Sequence, residues 1–203
     1  MKLYITPASP YARIVRILIL EKGLSGRIEI LPARTRVDDS PYYRINPSGR
    51  VPYLIRDDGV ALEESALICA WLDQLDGRPM FGLPQGAQGW EARRLEALAR
   101  SITDGLAVWN REIARAPGEC SPTLVGHEYR RCRRMAGLWE REIAQPWMND
   151  TRLNLAQITL ACGLGLETRN PGINWREGHP RLSAWFERLS TRPSLVATAP
   201  PPA

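Results

Sequence analysis

Lysine and histidine are almost missing from this sequence, with two of each in 203 residues, and nowhere is there an apolar run of about eighteen residues. Without such a run the chain has no membrane span, and its opening residues 1–5 give way at Pro7 and Pro10 before the apolar core of a signal peptide is reached. A cytoplasmic protein with no membrane partner is the expectation. Cys-x-x-Cys pairs are absent too. Cys69, Cys120, Cys132 and Cys162 lie far apart, with no histidine placed to complete a zinc set, which speaks against both a disulfide framework and a metal. Cys69 and Cys162 fall in apolar helical patterns, where cysteine is ordinarily a small buried hydrophobe. With so little lysine, the net charge of +5 is carried by arginines scattered among acids. Their densest group, Arg130, Arg131, Arg133 and Arg134, lies in a helical stretch and reads as a solvated face, so no nucleic-acid partner is expected. Apolar side chains are plentiful, 44% of the residues, enough for the core of one large domain or two small ones.

Residues 2–5 are β-rich, residues 10–22 carry apolar side chains at helical period, and residues 27–31 return to strand character, which makes a βαβ unit. The helix is punctuated by Ser9 as N-cap, Pro10 at the first helical position and Gly23 at the stop. Ile14, Ile17 and Leu18 form its buried stripe, with Leu20 a further candidate. Residues 33–50 are polar, hold Pro41, Pro47 and Gly49 and keep no period, so a loop with at most a short helix is expected. Residues 53–56 and 60–62, joined by Asp57-Asp58-Gly59, read as a hairpin whose Asp-Gly pair supplies the positive φ angles of a tight turn. A helix over 65–75 follows, closed by Asp76-Gly77.

The order β-α-β, loop, β-β, α is that of a thioredoxin-like half sheet, filling residues 1–76. Residues 77–86, with Gly77, Pro79, Gly82, Pro84 and Gly86, make a turn-rich linker, and nearly everything over 87–203 reads as helix. Helices are predicted over 87–116, with Gly105 as a kink or a close-packing point, and over 124–144, after which Pro146 breaks the pattern. Asn154-Leu155-Ala156-Gln157 has the form of a capping box ahead of an apolar run through Leu166. A last helix covers 181–190, and residues 200–202 make a disordered or extended tail. The expected fold class is an α/β thioredoxin-like N-terminal domain (βαβ-ββα) followed by an all-α C-terminal helical domain.

Three segments stand out: Ser9-Pro10-Tyr11-Ala12-Arg13-Ile14-Val15-Arg16; Asn46-Pro47-Ser48-Gly49-Arg50-Val51-Pro52 followed by Glu64-Ser65-Ala66-Leu67-Ile68; and His179-Pro180-Arg181-Leu182 through Trp185, ending at Arg192-Pro193. In this order and at these separations they resemble the soluble bacterial glutathione transferases, and the resemblance extends over essentially the whole chain. Val51-Pro52 is informative physically, because a proline after an extended residue is where a cis peptide is tolerated. A cis bond there would turn the Val51 backbone toward open space, where its N–H and C=O can pair with a peptide as an added strand edge. The plain alternative is a trans proline that starts an edge strand. Glutathione is such a peptide, and the resemblance implies that Val51 and Pro52 bind it.

Glu64 and Ser65 fall at a helix start, whose unsatisfied N–H groups and positive dipole end suit a carboxylate. By resemblance, Ser65 and its amide hold the γ-glutamyl carboxylate of glutathione and Glu64 meets the γ-glutamyl amine; alternatively Ser65 is an N-cap and Glu64 an acid complementing the dipole. Arg50 is a candidate for the glycyl carboxylate, with simple solvent exposure the alternative. Tyr11 and Trp109 are candidates for an apolar second-substrate pocket, although tryptophan at helical spacing is commonly core. Tyr4, inside the first strand, reads as core or sheet surface.

Ser9 is the candidate catalytic residue, because the family places a serine, cysteine or tyrosine near this point to hydrogen-bond the glutathione sulfur. Capping does not conflict with that role, since a hydroxyl can accept from a helix amide while donating its proton to a thiolate. A free thiol has a pKa near 8.5, and lowering it by about two units takes roughly 2.7 kcal/mol of thiolate stabilisation. One hydrogen bond to the ion, about 1.5–3 kcal/mol, plus the helix dipole, about 0.3–1 kcal/mol, suffices. The serine also disfavours the mixed-disulfide chemistry of relatives with cysteine here. Gln157 stands where many relatives carry aspartate, so an intact fold with a weaker cap is expected. The resemblance implies a homodimeric enzyme of detoxification type, with glutathione as cosubstrate, no metal, and a small electrophile or peroxide as second substrate. Two rivals remain at this stage: a non-catalytic adaptor or ligand carrier with the same fold, and a glutathione-dependent isomerase or lyase.

Overall fold

Side chains of successive strand residues point to opposite faces, so in β1 (Lys2–Ile5) Leu3 and Ile5 go inside while Lys2 stays in water. The computed structural model, which describes residues 1–116 and 118–201, places β1 within a four-stranded sheet of order β2-β1-β3-β4. The other strands are β2 (Glu29–Pro32), β3 (Tyr53–Ile55) and β4 (Ala61–Glu63). β1 runs parallel to β2 and antiparallel to β3, and β3 pairs antiparallel with β4. Leu3 stands opposite Leu54 in this register, and both are fully buried. Helix α1 (Pro10–Glu21) joins the parallel pair, α2 (Ser65–Gln74) follows β4, and the two helices pack together. This is the thioredoxin-like arrangement that the element order predicts.

Some details differ from expectation. Leu20 is 39% exposed, because α1 buries Ile14, Val15, Ile17, Leu18 and Ile19 and turns Leu20 to the opposite side. In the hairpin only Gly59 has a positive φ, 83°; Asp58 instead accepts a hydrogen bond from the Val60 N–H at 3.1 Å. The loop therefore needs one left-handed residue rather than two. The long polar loop contains a single 3₁₀ turn, Pro41–Arg44.

A buried cation ties the C-terminal ends of α1 and α2. The Lys22 side chain is 0% exposed. Its ammonium donates to Asp73 Oδ1 at 3.1 Å, the Asp73 C=O at 2.6 Å, Asp76 Oδ1 at 2.9 Å and the Arg78 C=O at 2.9 Å. The Asp73 carboxylate also accepts from the Met80 and Phe81 N–H groups, so the chain leaving α2 is held by the same charge pair.

The chain divides into two compact units, Met1–Gly82 and Leu83–Ala203. The second is helical, with α3 (Gly86–Ile113), α4 (Pro122–Glu142), α5 (Leu155–Leu164), α6 (Pro180–Ser190) and α7 (Pro193–Ala197). Helix α5 is buried nearly all round and packs on α3. Its capping box is complete: Asn154 Oδ1 accepts from the Gln157 N–H at 3.0 Å and Gln157 Oε1 accepts from the Asn154 N–H at 2.9 Å. Gln157 does more than cap, because its Nε2 donates to the carbonyls of Met148 and Asp150, bonds an aspartate has no donor to make. Helix α3 runs through Gly105 unbroken, and a Cβ there would stand 2.6 Å from Glu128 Oε2, which makes this a close-packing glycine. The short α7 was not foreseen. Of the expected tail, Pro202 lies outside the described residues.

Candidate functional site

The segment before Pro52 is built to present one peptide unit. Gly49 has φ 67°, and a Cβ on it would sit 2.8 Å from the Tyr43 ring, so both conformation and space require glycine. Its N–H closes a turn onto the Asn46 C=O at 3.0 Å. The peptide groups of Arg50 are then tied at both ends. Its N–H donates to Ser48 Oγ at 3.2 Å, and its C=O accepts from Asn46 Nδ2 at 3.0 Å and from the Tyr42 hydroxyl at 2.5 Å. Burial pushes the Tyr42 hydroxyl above its ordinary value of 10.0, which keeps it a donor. Next comes Val51-Pro52, whose peptide bond is cis. Among the described residues neither the N–H nor the C=O of Val51 enters a hydrogen bond. A residue placed just before β3 with both backbone groups unused is an edge on which another backbone can add. Gly49→Ala is expected to cost about 1–3 kcal/mol of stability through the strained φ and the clash with Tyr43; urea unfolding checks it, and a change within experimental error would contradict this account of the turn.

The second part of the site is the start of α2. Glu64 occupies the N-cap position with φ 78° and ψ 120°, a conformation that costs a residue other than glycine about 1–3 kcal/mol and persists only where its surroundings impose it. No side chain caps α2, so the positive end of its dipole is left for a ligand. Ser65 is the first helical residue rather than the N-cap, 1% exposed, with its hydroxyl donating to Glu64 Oε1 at 3.2 Å. The alternative of a capping serine is therefore not the one adopted.

Of the residues singled out from the sequence, Tyr11, Arg50, Val51, Pro52, Glu64 and Ser65 line one pocket, together with Glu63. Ser9 is not in that lining. It stands two residues before Tyr11 as the N-cap of α1, half-buried, accepting from the Ala12 N–H at 3.2 Å, and among the described residues no acceptor takes its own proton. Trp109 belongs to α3 in the other unit. It is 4% exposed and meets Tyr129 edge-on with ring centroids 5.9 Å apart, the placement of a core tryptophan. Tyr4 is half-buried against Tyr42. Chemically, the pocket combines an Arg50 guanidinium with no ion pair among the described residues, the carboxylates of Glu63 and Glu64, an unused backbone edge and an uncapped helix start. A ligand that matches all four is an extended peptide carrying both ammonium and carboxylate groups.

Residues 3–80 match the family model described as glutathione S-transferase, N-terminal domain. Over the whole of both chains the sequence is 30% identical to a protein of Escherichia coli K12 called uncharacterized GST-like protein YibF. The chain belongs to the glutathione S-transferase family. Among solved structures, a glutathione transferase family member from Pseudomonas fluorescens Pf-5 with bound glutathione is 34% identical, with a TM-score of 0.87 over 98% of each chain. A structure of a family member from the same strain with bound S-(propanoic acid)-glutathione is 35% identical, with a TM-score of 0.85 over 99% of this chain and 100% of that one.

Every lining residue of the pocket in this transferase-family chain comes from the unit Met1–Gly82. Sequence reasoning missed the residues that hold the lining in place. Tyr42 gave no signal, since it sits in a stretch without period. Asn46 and Ser48 were visible only as members of a motif. Glu63 lines the pocket as the last residue of β4, and its only sequence cue was adjacency to Glu64.

Proposed function

We propose that this protein is a glutathione transferase that binds glutathione along the Val51 edge and activates its thiol with Ser9. The observation that carries this reading is the pairing of Val51, whose backbone groups are unused, with the uncapped start of α2 in a single pocket. Glutathione supplies a match for each part. Its cysteinyl residue pairs with the N–H and C=O of Val51 next to Pro52. Its γ-glutamyl carboxylate meets Ser65 and the first amides of α2, and its ammonium meets Glu64. Its glycyl carboxylate meets the Arg50 guanidinium. The Ser9 hydroxyl, which already accepts from Ala12, uses its remaining proton to donate to the sulfur and so favours the thiolate. The thiolate then attacks an electrophilic carbon, whose leaving group departs with the bonding electrons, or one oxygen of a peroxide, whose O–O bond breaks to give glutathione sulfenic acid while the other oxygen leaves as an alcohol or water after protonation, in chemistry of detoxification type. Tyr11 faces the second substrate. Carried over from the family resemblance, the enzyme acts in the cytoplasm as a homodimer.

Calorimetric titration with glutathione tests the binding half of the proposal. Saturable binding is expected for the wild type, weakened about tenfold in Glu64→Gln by loss of a hydrogen-bonded charge. An absence of binding heat, together with no displacement of a glutathione-affinity resin, would overturn it.

A further inference from the structure

We infer that Glu63 is a positioning residue of the peptide-binding edge and acts through Ser48. The inference rests on the glutathione reading only for its binding readout. Glu63 ends β4 and stands opposite Tyr53 in the β3–β4 register, so its backbone belongs to the sheet immediately after Pro52. Its Oε1 accepts from the Ser48 hydroxyl at 2.7 Å across fifteen residues of chain. That hydroxyl has a single proton, and giving it to Glu63 turns the oxygen lone pairs toward the Arg50 N–H, which donates to them at 3.2 Å. Ser48 is itself oriented by its N–H, which donates to Asn46 Oδ1 at 3.1 Å. A continuous chain of bonds thus runs from the sheet through Glu63 and Ser48 to the Gly49–Arg50 peptide, one unit before the peptide that joins Arg50 to Val51.

The two peptide planes on either side of the Arg50 Cα are held differently. The Arg50 C=O is fixed from inside by Tyr42 and Asn46, both buried. Among the described residues the Arg50 N–H, in the Gly49–Arg50 plane, is held by Ser48 alone, and Ser48 and Arg50 are both exposed, so little packing supports that plane. Without the latch the Gly49–Arg50 plane is free to tilt and Arg50 is held from one side only, so the entropy of ordering it must be met when a ligand binds. The other oxygen of Glu63 makes no hydrogen bond among the described residues although Glu63 lines the pocket. Direct contact of that charge with a ligand ammonium is the competing explanation, and the variants below separate the two.

The experiment compares Ser48→Ala, Glu63→Ala, the double variant and Glu63→Gln. Each is measured for glutathione affinity, for KM and kcat with a general electrophile, and, without ligand, for amide hydrogen exchange over residues 46–52. Ser48→Ala and Glu63→Ala are each expected to weaken glutathione binding and raise KM by about threefold to tenfold, with kcat unchanged. The double variant should be no worse than either single one, because the two side chains act as one link. Glu63→Gln keeps an accepting oxygen, so it should bind glutathione more tightly than Glu63→Ala and leave exchange of the Arg50 amide as slow as in the wild type. Exchange of the Arg50 amide should speed up in both alanine variants. If Glu63→Gln binds as weakly as Glu63→Ala while Ser48→Ala behaves as wild type, Glu63 acts by direct charge and the latch is overturned. Lowered thermal stability with unchanged affinity and exchange overturns it as well. Should the wild type bind no glutathione, the proposed function fails, and the exchange rates alone decide the latch: faster exchange upholds it and unchanged exchange overturns it.

Discussion

Replacing Lys22 with methionine should lower the unfolding free energy by about 3–5 kcal/mol, the effect of removing one partner from a buried ion pair. Methionine preserves much of the apolar stem, so the loss reports the charge. In the wild type the ammonium is wholly out of water and shares its three protons among four oxygens. Without it the Asp73 carboxylate, whose side chain is 4% exposed, keeps only the Met80 and Phe81 amides as partners. Asp73→Asn should cost less, since its amide oxygen still accepts. Urea unfolding followed by circular dichroism checks both, and a Lys22→Met loss below about 1 kcal/mol would show that the clamp contributes little. Acid should loosen the same clamp. The hydrogen bond from Lys22 holds the Asp76 carboxyl below its ordinary value of 3.8. The unfolded chain therefore binds the proton first as pH falls. The contribution of this group is complete above the ordinary value and disappears as pH drops through the lower folded value, below about pH 4.

Ser9→Ala should lower kcat/KM about tenfold to thirtyfold at slightly acid pH. With a thiol pKa near 6.5 half of the bound glutathione is thiolate at that pH, whereas with the free value near 8.5 only about 1% is. The dipole of α1 survives the substitution, which is why the expected loss falls short of the full factor. The same change deletes the N-cap bond to Ala12 and should cost about 1 kcal/mol of stability. Ser9→Asp separates the two effects, since a carboxylate caps the helix but has no proton to donate and repels the thiolate. It should be as stable as the wild type and less active than Ser9→Ala. Steady-state rates with a chromogenic electrophile measure both variants, and activity of Ser9→Ala within about twofold of wild type would remove Ser9 from the chemistry.

Much of the fold was legible because its signals are local. Ser9-Pro10 marks the start of α1, the alternation at Lys2 to Ile5 marks the central strand, and Asn154 with Gln157 marks the start of α5. The same cap-plus-proline signature stands at Ser121-Pro122, where the Ser121 side chain accepts from the Leu124 N–H. That cap sets the start of α4 at Pro122, two residues before the start at 124 expected from the sequence. Long-range bonds left no trace in the sequence. Lys22 reads as an ordinary final helical residue until Asp73, Asp76 and Arg78 are brought around it. Gln157 reads as a weaker relative of aspartate until its second pair of bonds is seen. At the site, most lining residues carried motif signals, whereas Tyr42 and the bond from Ser48 to Glu63 act through tertiary contacts that no spacing rule encodes. Trp109 illustrates the opposite limit: tryptophan at helical period is the same pattern whether it faces a ligand or the core.

The proposed transfer of glutathione requires a bound thiol that ionises more readily than the free one. The decisive measurement is therefore a pH titration of the ultraviolet thiolate absorbance of bound glutathione, for the wild type and for Ser9→Ala. A thiol pKa lowered by about two units in the wild type and returned most of the way to about 8.5 in the variant is the predicted result. Glutathione that binds with an unshifted pKa in both proteins would contradict it, and would leave a chain that carries the tripeptide without activating it.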